Sequence, residues 1–538
     1  MPLDVLVSGR IATFAGPAGF GWVEAVGIRQ GRVAFAGSAI DLETRADPHT
    51  MRIELEPGEI AMPGLTDAHL HLLDAAVATE HVDLTRAQAI DDGLAMIADA
   101  ALALPPGAWL EGGGWDQRRW GRWPTAADLD RVIPGRPAAI WSFDHHAIWG
   151  SSASFLQAGV DARSVDPAGG IIRRLDDGSP EGVVLENACV LVMSCVPPPD
   201  QQTLNRTLLR IGRQLAELGV TGVHDPGNVS PDVDLIALDA YARLADAGEL
   251  PLRVHASIRP ESLDRAIERG LRSGALLGED PNGRARIGWL KLFADGTLGS
   301  QTAALLQPRE GSTDVGVFRQ GPEELATFVR RAAEAGIASQ IHAIGDAAVR
   351  AALDALVPVA ASMALMPRLE HVQLVNPADR HRFARHGVAA SVQPVHLRED
   401  AESARHDWGA RAEQSGYAWN TLVAAGAVLA FGTDAPVEPI DPWPGIALSV
   451  LRRDPSWGPD AIPFGAHEAL DLEQALRAAT LGPAQTTREA DRGRLTPGAR
   501  ADLIVLPAAP REPNGIGASF AAVRPRLVLI DGDVVVDV

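Results

Sequence analysis

Two histidines separated by one leucine, His69 and His71, have the type and spacing of metal ligands. In an extended strand, residues i and i+2 point to the same face. Two imidazoles at the end of one strand can therefore bind a single divalent ion. The tripeptide alone is a weak signal, because two surface histidines would give the same pattern.

Three further residues of ligand type end other predicted strands: His342, His371 and Asp434. Together with the first two histidines they form a set that zinc and similar first-row metals prefer. Lys291 ends another strand, where a buried ammonium is costly unless it is neutralised or modified. Reaction with carbon dioxide would give an anionic carbamate able to bridge two metals. The alternatives for Lys291 are a cation near the ligands or a substrate contact.

The elements that must position these residues alternate between apolar strand segments and helical segments, which predicts a parallel α/β fold. Eight strands would close a TIM (β/α)8 barrel, whose active-site residues lie at the carboxyl ends of the strands. Periodicity by itself would also allow seven or nine strands. Helices are expected, among others, at residues 322–335 and 346–356. The strand candidates are a segment ending at residue 69, then 219–224, 252–255, 288–293, 338–342, 369–371, 388–393 and 428–434.

The domain organisation follows from the segments outside this alternation. Residues 1–58 and 490–538 are rich in short β-type segments, and we expect them to pair in one small β-sandwich. Residues 59–489 would form the barrel, with an inserted subdomain at about 80–205 over one barrel face, because that connection is unusually long. Six of the 12 tryptophans lie in this insertion, either as core residues or as a substrate surface.

Composition restricts the class of protein. The chain has 538 residues, 46% of them hydrophobic, and a formal net charge of −21, which favours a globular protein and disfavours nucleic-acid binding. Two cysteines, Cys189 and Cys195, do not make a disulfide framework. Because neither a signal peptide nor an apolar run of about 18 residues is recognisable, we expect a cytoplasmic protein without membrane contact. The sequence leaves open whether the chain forms a homo-oligomer.

Several segments around these residues resemble those of a known family. Residues 63–71 are similar to the first-strand signature of the metal-dependent amidohydrolase superfamily, and other segments resemble its amidohydrolase-3 subgroup. The similarity extends over almost the whole chain, and the ordered set is more specific than any single motif. These segments are 113–116 (Gly-Gly-Trp-Asp), 291–300 (Lys-Leu-Phe-Ala-Asp-Gly-Thr-Leu-Gly-Ser), 341–346 (Ile-His-Ala-Ile-Gly-Asp), 368–371 (Arg-Leu-Glu-His), 393–396 (Gln-Pro-Val-His), 431–436 (Phe-Gly-Thr-Asp-Ala-Pro) and 493–503.

The resemblance implies a barrel with one or two divalent metal ions, zinc being favoured. Carried over by position, the ligands would be His69, His71 and Asp434 for the first metal, His342 and His371 for the second, and Lys291 as a bridging carbamate. Glu186 is an alternative carboxylate near the site. Two positions depart from the family pattern: Thr433, where serine is common, and Gly150, where asparagine is frequent.

Asp434 is also the predicted catalytic residue, because a carboxylate beside a metal-activated water can take its proton and later give it to the leaving nitrogen. Asp295 is expected to orient a ligand histidine, with helix capping as the alternative. Glu370 is expected to be structural, because strand alternation points it away from the face of its neighbour His371. The predicted substrate contacts, each with a structural role as the alternative, are Trp115, His146, His224, Gln393 and His396.

These features favour a metal-dependent hydrolase of a carbon–nitrogen bond, with a small amide as substrate. Trp115, Trp120 and Trp123 indicate an aromatic or apolar substrate group. One alternative is the same site acting on an ester, a lactone or an amine-bearing ring. Another is a barrel that binds a ligand without turnover, which would require the loss of ligand residues, and all expected ones are present.

Overall fold

The computed structural model describes residues 2–143, 147–167, 170–186, 188–228, 235–458, 460–507 and 520–538. The chain divides into two units, one formed by residues 1–75 and 209–538 and the other by residues 76–208. The second unit spans nearly the same residues as the predicted insertion.

The strands follow one another in three groups along the chain. The N-terminal strands are β1 (Val5–Ala12), β2 (Trp22–Arg29), β3 (Arg32–Gly37), β4 (Met51–Glu54) and β5 (Ile60–Pro63), followed by the first barrel strand, β6 (Leu65–Asp67). The second unit contains β7 (Val82–Asp83), β8 (Leu110–Trp115), β9 (Ala138–Ser142), β10 (Ala147–Gly150), β11 (Gly170–Arg174) and β12 (Pro180–Glu186). The other barrel strands are β13 (Val220–Asp225), β14 (Arg253–Ile258), β15 (Ala285–Phe293), β16 (Ser339–Ala343), β17 (Arg368–His371), β18 (Ala389–Val392) and β19 (Leu429–Phe431), and the C-terminal strands are β20 (Leu503–Leu506), β21 (Leu527–Ile530) and β22 (Asp533–Asp537).

Helices connect these strands, and in the described residues none is both long and apolar enough to cross a bilayer. Helix α12 has the predicted bounds, and α11 ends one residue earlier than predicted. The α-helices are α1 (Ala39–Glu43), α2 (Leu72–Ala78), α3 (Ile90–Leu102), α4 (Gln117–Trp120), α5 (Ala126–Val132), α6 (Ser152–Gln157), α7 (Cys189–Met193), α8 (Gln201–Glu217), α9 (Ile236–Asp246), α10 (Leu263–Glu268), α11 (Pro322–Glu334), α12 (Asp346–Leu356), α13 (Arg380–His386), α14 (Leu397–Trp408), α15 (Ala410–Ser415), α16 (Trp419–Ala424), α17 (Pro442–Leu451), α18 (Leu472–Ala478) and α19 (Leu481–Thr486).

The barrel is a parallel sheet of eight strands in the order β6-β13-β14-β15-β16-β17-β18-β19, so each strand pairs with the next barrel strand of the chain. The predicted TIM barrel is therefore confirmed. Backbone hydrogen bonds just beyond β6 and β19 close the ring: the Ala68 amide donates to Phe431 O at 2.8 Å, and the Asp434 amide to His69 O at 2.7 Å. This closure places two predicted metal ligands side by side.

Strands from the two chain ends share one sheet in the order β22-β21-β20-β5-β1-β2-β3, with β4 paired to β1. The antiparallel pairing of β20 with β5 joins the ends of the chain. Buried residues from both ends, among them Val7, Val26, Val505 and Leu529, form its apolar core. Each terminal segment is too short to bury such a core alone, which explains why the segments combine.

The second unit has its own sheet, in the order β11-β12-β10-β9-β8-β7. Trp115 and Trp149 are fully buried in its core. Trp115 donates its indole N–H to Ile140 O at 2.7 Å, and Trp149 donates to Thr125 O at 2.8 Å. These two tryptophans fill the core of the unit. Of the two roles considered for the tryptophans of the insertion, they have the role of core residues rather than of a substrate surface.

A buried arginine on β14 joins the barrel to the terminal sheet. The Arg253 guanidinium donates to both oxygens of Asp502, from Nε to Oδ2 at 2.8 Å and from Nη2 to Oδ1 at 3.0 Å. It also donates to Asp531. Burial raises the pKa of Asp502, but the charge and hydrogen bonds of Arg253, together with the charge of Arg492, outweigh burial and lower that pKa to about 2. The pair is therefore ionised, and loss of either partner would leave an uncompensated buried charge.

We predict that Arg253→Ala lowers the free energy of unfolding by about 3–5 kcal/mol, the usual effect of breaking a buried ion pair from one side. Chemical denaturation followed by circular dichroism measures this. The matched control is Arg52→Ala, whose partner Glu43 is 57% exposed, so its effect should stay below about 1 kcal/mol. Equal effects of the two substitutions would contradict the structural role of Arg253.

Candidate metal centre

His69, His71 and Asp434 meet at the junction of β6 and β19. The Nε2 atoms of His69 and His71 lie 3.2 and 3.3 Å from Asp434 Oδ1. All three residues are at most 6% exposed. The predicted ligands of the first metal therefore converge on one carboxylate oxygen.

The backbone at this junction explains the convergence. A Cβ at Gly432 would lie 2.5 Å from His69 N, so only glycine permits this approach of the two chains. The Asp67 carboxylate accepts hydrogen bonds from Thr433 Oγ1 at 2.6 Å and from the amides of Thr433 and His69 at 3.1 and 3.0 Å. One buried side chain thus holds the segments that carry His69 and Asp434, and the threonine at position 433 supplies part of this connection.

His371 joins the group from β17. One ligand atom from each of His69, His371 and Asp434 lies within 4.8 Å of the others. Burial, reinforced by His342, lowers the pKa of His371 well below its usual value. The imidazole is therefore neutral, which is the form that binds metals.

Hydrogen bonds on the opposite ring nitrogens orient the first two histidines. His69 Nδ1 donates to Glu370 Oε2 at 2.6 Å, and His71 Nδ1 donates to Gly227 O at 2.5 Å. Both Nε2 atoms then direct a lone pair toward the same space. His69 Nε2 is buried and makes no hydrogen bond within the described residues. Two imidazole nitrogens and a carboxylate with fixed tautomers fit a zinc-type ion.

Glu370 is a positioning residue that the sequence interpretation missed. Burial raises the pKa of Glu370, but the charges of Arg368, His69 and Lys291 and the hydrogen bond from His69 together outweigh burial and lower that pKa to about 2. Arg368 Nε lies 2.7 Å from Glu370 Oε1. Arg368 and Glu370 share a buried face of β17, and there Glu370 bonds His69, a contact beyond the structural role expected from the sequence. His371 reaches the site instead by leaving the strand at a φ of 71°, which simple alternation does not anticipate.

His342 and Asp295 lie beside this group. The His342 ring centroid is 4.4 Å from that of His371, and its Nε2 donates to Gly296 O at 2.9 Å. Burial and the charge of Lys291 lower the pKa of His342 to about 3. Asp295 Oδ1 is 3.6 Å from His342 Nε2, and its carboxylate also accepts three backbone N–H groups. A second metal held by His342 stays a prediction, as does the orienting role of Asp295.

Lys291 is buried on β15, 1% exposed, within reach of the same charges. Burial lowers the pKa of its amine to about 8, against the opposite influence of Glu370 and Asp434. A weakly basic, buried amine suits reaction with carbon dioxide, because the neutral form is the nucleophile. The carbamate itself stays a prediction.

His396 and Gln393 follow β18. His396 Nε2 donates to Asp434 Oδ2 at 3.2 Å. Burial lowers the pKa of His396, but the hydrogen bond and charge of Asp434 outweigh burial and raise that pKa to about 9. Gln393 is 3% exposed, and neither amide atom has a hydrogen-bond partner within the described residues. An unpaired buried amide is costly, and a substrate contact that would satisfy this amide stays a prediction.

The other predicted site residues lie elsewhere or outside the described residues. His224 is buried on β13 and accepts a hydrogen bond from Arg368 Nη1 at 2.9 Å, beside the rings of His255 and Trp289. This packing favours its structural alternative. Glu186 is an exposed residue at the end of β12 in the second unit. His146 lies outside the described residues. Their roles, and that of Trp115 as a substrate contact, stay predictions.

Comparison with known proteins links this geometry to a family. The model of the amidohydrolase family Amidohydro_3 matches residues 57–536. The chain is 31% identical to "Putative amidohydrolase YtcJ" of Bacillus subtilis (strain 168), with 90% of each chain covered. It is 26% identical to N-substituted formamide deformylase of Arthrobacter pascens, again with 90% of each covered.

A solved structure shares the architecture. It is the crystal structure of an uncharacterized metal-dependent hydrolase from Pyrococcus horikoshii, with a TM-score of 0.79 and 27% sequence identity. The match covers 94% of this chain and 97% of the other. The barrel and the terminal sheet are therefore shared over nearly the full length.

We predict that Glu370→Gln weakens metal binding about 10- to 100-fold, as is usual for loss of a carboxylate that orients a ligand histidine. The substitution keeps the side-chain shape and removes the charge that holds His69 Nδ1–H. Competition with a chromophoric chelator measures the affinity. Glu323→Gln, on the exposed side of α11, is the control; an unchanged affinity for Glu370→Gln would contradict the orienting role.

We also predict that Gly432→Ala abolishes metal binding. The added methyl would meet His69 backbone, which cannot rotate away, so the destabilisation should exceed the roughly 1–3 kcal/mol typical of overpacking. Metal content after purification and the thermal midpoint provide the measurement. Gly321→Ala is the control, because a Cβ there meets nothing within 4 Å; equal behaviour of the two variants would rule out the close approach.

Proposed function

The chain belongs to the amidohydrolase family, and we propose that it hydrolyses a carbon–nitrogen bond of a small amide at a metal centre held by His69, His71, His371 and Asp434. The observation that carries the proposal is the convergence of buried donor atoms around Asp434. Zinc is the proposed metal, because neutral imidazoles with one carboxylate are its common ligands.

A bound divalent metal would lower the pKa of water from about 16 to about 7 and polarise the scissile carbonyl. Asp434 Oδ1 faces the two imidazole nitrogens of His69 and His71, so Oδ2 is the atom left to take a proton from the attacking water. The same oxygen would return that proton to the leaving nitrogen. His396 donates to one lone pair of Oδ2 and so orients the carboxylate, and the other lone pair of the same oxygen would take the proton.

The second set of ligands extends the proposal. Lys291, as a bridging carbamate, and His342 would hold a second ion. His371, expected from the resemblance as the other ligand of that ion, lies with its ring 4.4 Å from that of His342 but is grouped with His69 and Asp434. His342 Nε2 is engaged with Gly296 O, so this nitrogen must leave that hydrogen bond before it can act as a ligand. The first metal centre, at His69, His71 and Asp434, is therefore already assembled, whereas the second requires the His342 side chain to rotate.

The proposed substrate class is a small amide, with N-substituted formamides as the first to test. Support comes from the similarity to N-substituted formamide deformylase, and from the carboxylate that can protonate a leaving amine. Trp115 lies in the core of the second unit, which gives little support to a direct aromatic contact from that residue.

We predict that Asp434→Asn lowers kcat at least about 10²-fold while the fold is retained, because the amide cannot take the proton. Removal of the metal with a chelator should abolish turnover, and added zinc should restore it. Elemental analysis should find at least one tightly bound divalent ion per chain. Asp41→Asn, exposed on α1, serves as the control. Full activity in the chelated enzyme or in Asp434→Asn would refute the mechanism.

A further inference from the structure

Arg259 is a buried cation beside the candidate centre that the proposed mechanism does not use. It follows the last residue of β14, at the carboxyl end of the barrel, and is 9% exposed. Its Nε and Nη1 atoms are buried without a hydrogen-bond partner in the described residues. Glu261 forms an ion pair with Arg259 at 3.5 Å from Nε, and Asp74 acts on Arg259 only through its charge; Nη1 is left for a further partner.

A second arginine faces the same aromatic ring. The guanidinium carbons of Arg259 and Arg319 lie 4.6 and 4.9 Å from the centroid of Phe293, which is half-buried. Arg319 is exposed and forms no ion pair within the described part of the chain. Lys291 Nζ also lies 4.9 Å from this centroid. The two guanidinium groups repel each other unless an anion lies among them, and Glu261 offsets this repulsion only on the side of Arg259.

This cluster borders the candidate metal centre. The Phe293 ring centroid is 5.6 Å from that of His342. On the other side, the stem of Arg259 packs against Gly227, where a Cβ would lie 3.2 Å from its Cγ and Cδ. The carbonyl of Gly227 accepts the hydrogen bond from His71 Nδ1. A substrate group bound by the two arginines would therefore lie close to the scissile bond held at the metal centre.

We propose that Arg259 and Arg319 form a recognition site for a carboxylate of the substrate, with Phe293 contacting the adjoining apolar part. A guanidinium presents N–H donors in a fork that matches the two oxygens of a carboxylate. Arg319 is exposed and can contact the carboxylate first. Arg259 is buried away from water, where a charge-assisted hydrogen bond to the carboxylate is strongest. The inference rests on the proposed function for the identity of the scissile bond, and it narrows the substrate class to acylated amino acids and similar anionic amides.

The test compares N-formylphenylalanine with its neutral carboxamide, using the metal-loaded enzyme. Both kcat/KM and the dissociation constant by calorimetry are measured for wild type, Arg259→Gln, Arg319→Gln and the control Arg330→Gln, an exposed residue of α11. The acid should be preferred in wild type. Each active-site variant should lose about 10- to 100-fold in kcat/KM for the acid, as expected for a lost hydrogen bond to a charged group. The loss for the carboxamide should be smaller, because it has no carboxylate for either arginine to bind.

The outcomes separate this inference from the proposed function. Cleavage of both compounds without a preference, unaffected by either variant, would overturn the carboxylate site and leave amide hydrolysis standing. Tighter binding of the acid that the variants abolish, without cleavage of either compound, would support the site and contradict the proposed reaction. Failure of the acid to bind better than the carboxamide would also overturn the site. If Arg259→Gln does not fold, Arg319→Gln carries the test, because its side chain is exposed.

Discussion

The close approach of two backbones where β19 meets β6 is the constraint on which the candidate centre depends. Gly432 allows the contact, and Asp67 holds both sides through Thr433 and His69. The amide of Asp434 then donates to His69 O, so the barrel closes and the ligands meet through the same hydrogen bonds. A sheet that closes on itself leaves no edge at this point, and the ligand geometry is therefore as rigid as the barrel.

Buried polar groups beneath the ligands make this geometry specific. Arg368 lies between Gln340, His224 and Glu370, and Glu370 in turn holds His69. Burial of each charge is costly by itself, but each has a partner, and the low dielectric of the interior strengthens the interactions between them. The candidate ligand His69 is thus oriented by a network that extends into the barrel core, rather than by its own rotamer preference.

The charges around the centre differ from those of the whole chain. The protein carries a formal net charge of −21, yet the guanidinium groups of Arg259 and Arg319 lie together against Phe293 at the barrel mouth. A locally positive site in an acidic protein can attract small anions while the remaining surface repels them. The net charge of a protein governs its solubility and the long-range steering of charged ligands. Recognition of a ligand depends instead on the few protein groups that are desolvated when the ligand binds.

The sequence by itself determined the barrel architecture and the histidines and aspartate at the strand ends, because hydrophobic periodicity and ordered motifs are local signals. It allowed seven to nine strands, and the tertiary structure decided on eight. The sequence also indicated that the chain ends would combine, since neither could bury a core alone. Tertiary structure decided the rest. Glu370 orients His69 from 301 residues away, His371 enters the site through a left-handed backbone, and His224 and Trp115 pack into cores. Long-range partners and local departures from regular geometry leave no periodic trace in a sequence, so only the folded chain reveals which polar residues reach the metal ligands.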